Sequence, residues 1–329
     1  MNNFYKEKKV LVTGGLGFLG SNLAHRLAAS GAQVTLLDCL LPGHGGNLFN
    51  KVDLKKNIRF VKGDIRNLGL MERLIKGQDV LFNIAAQTSH TDSMKNPYLD
   101  IDINTRGQIN LLEACRKFSP GIRIVYCSSR AIYGSAKKKN IDEETVPQPL
   151  DIYAANKLVG EHYHRVYSLV FGLNSTILRV TNSYGPRAQM KGPSFGILNW
   201  FIRLALDDAQ IKIFGDGKQV RDYVYVDDIV EAFLKTAQNS NISGEIINIA
   251  SGRGLPLITI VKEVVRIAGS GKIVHVPWPE TNKKIDVGDF IADVRKAKRL
   301  IGWQAATSLR DGLAETVSFY RKNKNNYWS

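Results

Sequence analysis

Three residues near the middle of the chain have the types and the spacing of a proton-transfer site. Tyr153 and Lys157 lie four residues apart in a predicted helix, and Ser129 precedes them at the end of a predicted strand. Positions i and i+4 share one face of a helix, so Lys157 can place its charge close to Tyr153. A phenol has a pKa of about 10 and is a poor base near pH 7, but a nearby cation stabilises its anion. We therefore expect Tyr153 to take a proton from an alcohol, with Ser129 holding the same hydroxyl or relaying its proton.

A glycine-rich segment favours this interpretation over the alternative, an exposed tyrosine beside a solvated lysine. Gly14, Gly17 and Gly20 follow a predicted strand and open a predicted helix. Such a turn lets the backbone approach a pyrophosphate, and the start of the helix presents N–H groups to it. Asp38 lies eighteen residues beyond Gly20, where a carboxylate accepts hydrogen bonds from a ribose 2′-hydroxyl and repels a 2′-phosphate. The pattern predicts NAD rather than NADP, and an oxidised nicotinamide would give Tyr153 a second positive charge nearby.

Two further segments are predicted to contact the dinucleotide. Asp64 follows the third predicted strand, at the edge of the sheet where the adenine would lie, and its alternative role is to cap a helix. The fourth strand ends in Ala85 and Ala86, whose small side chains would let the cofactor press against the backbone. The residues predicted to bind NAD are Gly14, Gly17, Phe18, Leu19, Asp38, Asp64, Ile65, Ala85, Gln87, Tyr153 and Lys157.

Strands and helices alternate along the first half of the chain. The predicted strands are 10–13, 33–38, 58–61, 79–84, 123–127 and 175–179. The predicted helices are 20–29, 102–117 and 153–171. This alternation predicts an α/β fold in which a Rossmann-type doubly wound parallel sheet carries a smaller α+β substrate-binding lobe.

The alternation of strands and helices breaks after the Tyr184-Gly185-Pro186 segment, and this change guides the predicted domain boundaries. Residues 1–182 plus about 226–250 are expected to form the NAD-binding domain, with a late strand at 245–249 that returns to the sheet. The substrate-binding lobe would comprise about 183–225 plus 251–329. Its predicted helices are 195–206, 259–268 and 309–322.

Composition restricts the class of protein. Of 329 residues, 44% are hydrophobic and 23% are charged, as in an ordinary globular protein. No apolar run reaches the length of a membrane span, and the polar start is unlike a signal peptide, so we expect a cytoplasmic protein. The three cysteines are scattered and form neither a disulfide framework nor a zinc pattern. His162 and His164 point to different faces of a helix, and we predict no metal.

The chain is basic, with a net charge of +15. Its lysines are dispersed, apart from a run at 137–139 and a pair near the end of the sequence. The basic residues lack the interleaved aromatic residues that single-stranded nucleic acids require. We expect neither nucleic acid nor a membrane as partner, and the positive field favours an anionic substrate.

Taken in order, the motifs are similar to those of a known family. They are TGGLGFLG at 13–20, GDIR at 63–66, SSRAIYG at 128–134, YAANK at 153–157, NSYGP at 182–186, GDG at 215–217 and RDYVYVD at 221–227. Over nearly its whole length the chain resembles the extended short-chain dehydrogenase/reductases, in their nucleotide-sugar epimerase/dehydratase branch.

The resemblance implies a role for each site residue. Tyr153 would be the catalytic base, Lys157 its partner and a ribose ligand, and Ser129 the catalytic serine. The implied substrate is a nucleotide-diphosphate sugar. The residues implied to bind it are Thr88, Ser129, Asn182, Arg221 and Asp289, of which Asn182 and Arg221 would hold the diphosphate. The family also implies a homodimer through 102–117 and 153–171, although the apolar residues there could pack within one monomer.

Residues 130 and 131 distinguish reactions within this branch. The 4,6-dehydratases carry an Asp-Glu pair after the catalytic residue, whereas this chain has Arg130 and Ala131. Without an acid for the leaving hydroxyl or a base for the C5 proton at these positions, the resemblance favours epimerisation, at C4 of a UDP-hexose-like substrate. A CDP-paratose-type 2-epimerase is the nearest alternative. A 4,6-dehydratase and a non-catalytic NAD-binding module are the others.

One segment departs from the family pattern. The family often has Arg-x-Gly-Asp near the C-terminus, where the arginine grips the diphosphate, but this chain has Asp286 in the arginine's place, with Lys284 as a possible substitute. This departure leaves the nucleotide base and the sugar open. The glycine-rich loop 41–47 suggests either a flap near the adenosine ribose or a solvated turn.

Overall fold

A computed structural model describes residues 3–52, 54, 58–135, 140–280 and 288–328. The strands are β1 Lys9–Thr13, β2 Gln33–Asp38, β3 Ile58–Lys62, β4 Val80–Asn83, β5 Arg123–Ser129, β6 Asn174–Val180, β7 Asn182–Tyr184, β8 Gln210–Phe214, β9 Val220–Tyr225, β10 Ile246–Ile249, β11 Gly254–Pro256 and β12 Lys272–Val276. The helices are α1 Phe18–Ala29, α2 Leu68–Ile75, α3 His90–Lys95, α4 Pro97–Ile101, α5 Gly107–Phe118, α6 Ile152–Phe171, α7 Ile197–Leu206, α8 Val226–Gln238, α9 Leu257–Ala268, α10 Arg295–Ile301 and α11 Leu309–Tyr327.

In the described residues, seven parallel strands form the central sheet in the order β10-β6-β5-β4-β1-β2-β3. The order reverses between β1 and β4, whose last residues, Thr13 and Asn83, lie side by side. The Thr13 hydroxyl donates to Asn83 Oδ1 at 3.2 Å. Ligands of open α/β sheets bind at such a switch point, outside the carboxyl ends of the strands.

Apolar residues on both faces of this sheet explain why its strands are nearly continuous hydrophobic runs. One face packs against α1 and α8 through residues such as Leu23, Leu27 and Phe233. The other packs against α2, α5 and α6, with Met71 and Leu111 in its core. Covering both faces leaves the strand ends as the place for a ligand.

A second hydrophobic core lies in the remaining part of the chain. It includes Leu198 and Phe201 of α7, Ile260 of α9 and Leu313 of α11. Strands β11, β9 and β7 form one small sheet, and β12 pairs with β8 in another. Some of these elements follow β6 in the sequence and the others follow β10. Residues such as Ile197 of α7 and Tyr223 of β9 line one side of the cleft described below.

Buried polar contacts fix α6 against the central sheet. The Arg179 guanidinium donates to Glu161 at 2.7 Å, and both side chains are almost fully buried. Arg179 also donates to the Tyr133 hydroxyl at 2.9 Å, while Ser128 donates to Glu161. A buried ion pair needs such additional hydrogen bonds to offset the cost of removing both charges from water.

The end of α11 returns to the first βα turn. The Tyr327 hydroxyl donates to Asn50 Oδ1, and Asn50 Nδ2 donates to the Leu16 carbonyl at 2.8 Å. Leu16 belongs to the glycine-rich segment, so the C-terminal helix is linked to that segment through a single side chain.

The predicted Rossmann-type sheet is confirmed, and the late strand joins it beside β6. The helix predicted at 102–117 begins instead with a π-helical turn, Asp102–Arg106, that continues from α4. The short elements α2, α3 and α4 and the strands β8 and β12 were not predicted. The domain boundaries stay a prediction.

Two sequence features lie outside the described residues: the lysine run at 137–139, and the segment 284–287 with Lys284 and Asp286. Within the described part of the chain, no helix is long and apolar enough to cross a membrane.

Candidate active site

The glycine-rich segment forms a tight turn that leaves no space for side chains. Gly14 has a φ of +67°, which L side chains rarely adopt, and a Cβ on Gly20 would stand 2.1 Å from the Gly14 carbonyl oxygen. Helix α1 begins directly after Gly17, and no side chain of the described residues caps it. The N–H groups of its first turn remain suited to an anion, so this turn fits a dinucleotide pyrophosphate.

The two predicted acidic residues, Asp38 and Asp64, both line the cleft described below. Asp38 Oδ2 accepts from the Leu16 N–H at 3.0 Å, and Oδ1 accepts from the Leu40 N–H at 2.9 Å. Burial raises the pKa of Asp38, against the lowering effect of these two N–H groups. Asp64 pairs with Arg66 at 2.7 Å. Burial would raise the pKa of Asp64, but the hydrogen bonds from Arg66 outweigh it and lower the pKa.

Tyr153 is the second residue of α6 and is almost fully buried. Ser129 lies beside it at the end of β5. Burial raises the pKa of Tyr153, and the Ser129 hydroxyl offsets part of that rise. Ser129 Oγ accepts from the Ala131 N–H at 3.1 Å, which leaves its own proton available for donation. The two hydroxyl groups are therefore brought together, as the sequence predicts.

Lys157 differs from its predicted arrangement. Its ammonium donates to the Cys127 carbonyl at 2.5 Å and lies 4.2 Å from the centre of the Tyr126 ring. Burial lowers the pKa of Lys157 to about 8. Burial dominates the pKa of Tyr153 in this arrangement and raises it. The prediction that Lys157 and an oxidised nicotinamide together lower this pKa stays a prediction.

A stack of side chains supports Lys157 from behind. The Tyr126 ring lies between Lys157 and His164, and the Tyr126 and His164 ring centres are 4.3 Å apart. The His164 ring bonds with the Ser175 hydroxyl at 2.7 Å, and burial lowers its pKa to about 3. His164 is thus a neutral core residue. The described residues contain no group of three or more His, Cys, Asp or Glu arranged to hold a metal.

The glycine-rich turn, the two acidic residues, Ser129, Tyr153 and Lys157 border one cleft of about 320 Å³. This volume is within the range of ligand pockets. The predicted site residues that line it are Gly14, Gly17, Phe18, Leu19, Asp38, Asp64, Ile65, Ala85, Thr88, Ser129, Tyr153, Lys157 and Asn182. Asn182 Nδ2 donates to the Asp222 carbonyl at 3.0 Å, and Asn182 Oδ1 accepts from Arg130 at 2.9 Å. Arg130 also lines the cleft.

Three predicted site residues do not line the cleft. Gln87 turns back on its own chain, where its side chain bonds with the backbone N–H and C=O of Ser89. Arg221 donates to the carbonyls of Val220 and Gly288, and Asp289 accepts from the Val220 N–H at 2.7 Å. The side chains of Arg221 and Asp289 thus bond with backbone at and beside the start of β9.

The sequence interpretation missed a pair of residues, one of which lines the cleft while the other lies behind it. His90 begins α3 and lines the cleft, and its Nδ1 is 2.6 Å from Asp151 Oδ2. Its ring meets the Tyr153 ring edge to face, with the ring centres 4.9 Å apart. Residues 90 and 151 are far apart in the sequence, so only the fold could reveal the pair. The loop predicted as a flap or a solvated turn lines the cleft through Leu41 and His44.

Comparisons with known proteins agree with this geometry. The family model described as the NAD dependent epimerase/dehydratase family matches residues 10–250. A putative UDP-glucose 4-epimerase of Methanocaldococcus jannaschii is 35% identical over 319 residues, which cover 95% of this chain and 99% of that protein. The crystal structure of UDP-glucose 4-epimerase with UDP-glucose from Thermotoga maritima has a TM-score of 0.88 at 34% identity, covering 96% of this chain and 99% of the other.

A UDP-glucose 4-epimerase of Thermus thermophilus, solved in complex with NAD, has a TM-score of 0.84 at 31% identity and covers 95% of this chain and 99% of the other. The predicted resemblance is thereby confirmed, and the predicted NAD is the cofactor of the group to which these relatives belong. The relatives indicate an enzyme of the nucleotide-sugar epimerase/dehydratase group. The match over residues 10–250 and a fold shared along almost the whole length establish that the chain belongs to the NAD dependent epimerase/dehydratase family.

Proposed function

We propose that this protein is an NAD-dependent nucleotide-sugar epimerase that inverts C4 of a UDP-hexose-like substrate. The observation that carries the proposal is the position of Tyr153 beside Ser129, in the same cleft as the glycine-rich turn. The glycine-rich turn and Asp38 would hold NAD, which would supply a reversible hydride acceptor for oxidation of the sugar at C4 and re-reduction on its opposite face. The similarity to UDP-glucose 4-epimerases supports the choice of carbon and nucleotide.

Residues of the chain would bind the C4 hydroxyl and would remove and return its proton. Ser129 would donate its O–H group to the C4 hydroxyl, and Tyr153 would take the proton as the C–H bond breaks. The raised pKa of Tyr153 suits the reverse step, because a protonated phenol can return a proton to the keto oxygen. The base step needs positive charge close to the phenol, and Lys157 at its pKa of about 8 is charged in much of the neutral range.

The substrate side of the cleft supports binding of an anionic molecule. We propose that Thr88 and Ser129 contact the sugar and that Asn182 and Arg130 lie near its negatively charged part. Arg130 already donates to Asn182, so both would be oriented together. Arg221 and Asp289, which bond with backbone, would act by shaping β9 rather than by touching the diphosphate.

Incubation of the purified protein with UDP-, CDP-, GDP- and dTDP-hexoses, followed by NMR, tests the proposal. We expect C4 epimers from a UDP-hexose. We expect Tyr153→Phe to lower kcat by roughly 10²–10⁴-fold, because the variant keeps the ring and loses the proton-transfer group. Tyr163→Phe, on the same helix but outside the cleft lining, is the control and should keep normal activity.

The proposal fails if no sugar nucleotide is converted, or if Tyr153→Phe remains fully active. A product inverted at C2 would instead identify the 2-epimerase. A 4-keto-6-deoxy product would identify the dehydratase.

A further inference from the structure

His90 and Asp151 form an aspartate–histidine pair at the wall of the cleft. His90 Nδ1 and Asp151 Oδ2 are 2.6 Å apart, and 42% of the His90 side chain is exposed against 7% of Asp151. The His90 ring also touches the Tyr153 ring. The pair therefore lies beside the proposed proton-transfer tyrosine, with the carboxylate behind the imidazole and the imidazole towards the cleft.

The two helix starts fix the geometry of this pair. Asp151 is the N-cap of α6 and accepts from the Ala154 N–H at 2.8 Å through its other oxygen. Ser89 is the N-cap of α3, which places His90 in the first turn. Burial would raise the pKa of Asp151, but the hydrogen bond from His90 leads the effects that lower it. Asp151 thus remains a carboxylate that accepts the Nδ1 proton, and this choice of tautomer makes Nε2 the basic nitrogen.

No described residue forms a hydrogen bond with His90 Nε2. His90 lines the cleft and its side chain is 42% exposed. An imidazole with a carboxylate on one ring nitrogen and access to a cleft is the arrangement of a general base, as in the catalytic triads of hydrolases. In the proposed reaction, Tyr153 and Ser129 already handle the hydroxyl proton of the carbon that is oxidised. A second base in the cleft must therefore act on another part of the sugar.

The chemistry of the keto-sugar identifies that part. Once a carbinol has become a ketone, the C–H bonds on the neighbouring carbons become acidic, because the carbonyl takes up the electrons as an enolate. Arg130 and Ala131 cannot remove such a proton, which was the reason to expect epimerisation alone. His90 supplies the missing base from a different element of the fold.

We propose that His90, oriented by Asp151, exchanges a proton between solvent and the sugar carbon next to the transient ketone. This inference rests on the proposed function for the origin of the ketone. As the C–H bond breaks, its hydrogen forms an N–H bond with Nε2 and its electrons enter the carbonyl as an enolate. Return of a proton from the imidazolium to the same carbon reverses the step, with no net oxidation. Because His90 is partly exposed, its proton exchanges with water in between.

Deuterium incorporation tests the inference independently of the epimerase reaction. The probes are UDP- and dTDP-4-keto-6-deoxyglucose, which already contain a ketone, incubated in D₂O and followed by NMR at the two carbons flanking it. We expect the wild-type protein to exchange one of these positions at least ~10²-fold faster than the spontaneous rate. His90→Gln, which lacks a basic nitrogen, should return the rate to the spontaneous one.

Two further variants separate the roles of the residues. Asp151→Ser keeps a good N-cap but loses the partner of His90, so we expect roughly 10-fold slower exchange with an unchanged melting temperature. Tyr153→Phe should lose any exchange that starts from the hexose, because no ketone then forms, whereas its exchange on the keto probes should stay faster than that of His90→Gln. That contrast distinguishes a failure of the proposed function from a failure of this inference.

The inference is overturned if the wild-type protein leaves both flanking carbons unlabelled in both keto probes. It is equally overturned if His90→Gln exchanges at the wild-type rate, since His90 would then only pack against Tyr153. Exchange on the keto probes without any epimer from a hexose would support the inference and refute the proposed C4 reaction.

Discussion

Gly20 lies in the first turn of α1, where the Gly14 carbonyl would be 2.1 Å from an added Cβ. Gly20→Ala must therefore displace backbone, and we expect the free energy of unfolding to fall by about 1–3 kcal/mol and NAD binding to be lost. Calorimetry with NAD and thermal unfolding would measure both. Gly121→Ala is the matched control, because a Cβ there would meet nothing within 4 Å. Equal NAD affinity in the two variants would refute the role of the tight turn.

Tyr153 shows how one environment can serve both directions of a reaction. Burial stabilises the neutral phenol, which is the form that donates a proton to a keto oxygen. The opposite direction requires that positive charge near the phenol outweigh burial. Lys157 alone does not achieve this while its ammonium bonds with the Cys127 carbonyl. The charge of an oxidised nicotinamide is therefore a physical requirement of the proposed base step and not an accessory to it.

Helix α6 carries Tyr153, the proposed proton-transfer residue, and the Glu161–Arg179 pair holds the helix on the sheet. Arg179→Met would leave the Glu161 carboxylate buried without its partner. We expect the free energy of unfolding to fall by about 3–5 kcal/mol in chemical denaturation. Arg266→Met breaks the exposed pair with Glu263 and should cost below about 1 kcal/mol. A similar loss in both variants would show that burial does not decide the contribution of the Glu161–Arg179 pair.

The packing of α6 on β6 also predicts a dependence of stability on pH. His164 has a pKa of about 3 in the folded chain, against an ordinary value of 6.5. Between these values the unfolded chain binds the extra proton, so the free energy of unfolding falls as the pH decreases through this window. The loss amounts to roughly 2 kcal/mol between pH 6.5 and pH 5.

Comparison of variants isolates this contribution. Denaturant unfolding of His164→Asn between pH 7 and 4.5 should show a shallower decline than the wild-type protein. His162→Asn, an exposed residue on the same helix, should follow the wild-type slope. Parallel pH profiles for wild type and His164→Asn would mean that His164 is not the group responsible.

The sequence alone could predict the elements whose signal is local. The glycine-rich turn and the helix of Tyr153 each combine a motif with a hydrophobic period, and both lie where the sequence placed them. The short helix α3 was not predicted, since it has six residues and little periodicity. Gln87 was assigned to the cofactor by its position after a strand, but the backbone of Ser89 is a nearer partner for its amide.

Contacts between distant segments could not be predicted from the sequence. His90 and Asp151 meet because α3 and α6 begin at the same side of the cleft, and neither residue belongs to a motif. The position of Lys157 is a related case. Tyr153 and Lys157 lie four residues apart in one helix, as the sequence predicts. The Cys127 carbonyl and the Tyr126 ring decide where the ammonium lies.

At the scale of the whole molecule, the outer face of α6 carries exposed apolar side chains. Val166, Leu169 and Val170 are 49%, 87% and 64% exposed, and Tyr98 on the neighbouring α4 is 78% exposed. We propose that a second copy of the chain covers this face, which includes part of the helix expected to form the dimer. Exposed apolar patches of this kind mark interaction sites.

A charge at Leu169, the most exposed of the three α6 side chains, tests the proposed dimer. Leu169→Asp should shift the protein from dimer to monomer in analytical ultracentrifugation, because the carboxylate would be buried in the interface. Val146→Asp places the same charge on an exposed loop residue and should leave the dimer intact. A wild-type protein that sediments as a monomer at micromolar concentration would contradict the proposal.

The path from Tyr327 through Asn50 to Leu16 has a practical meaning for anyone handling this enzyme. A fluorophore attached near the last residues would lie one side chain away from the glycine-rich turn that we expect to bind the dinucleotide. Its emission could therefore report NAD binding. For the same reason, we expect a purification tag after residue 329 to weaken NAD binding more than a tag before residue 1.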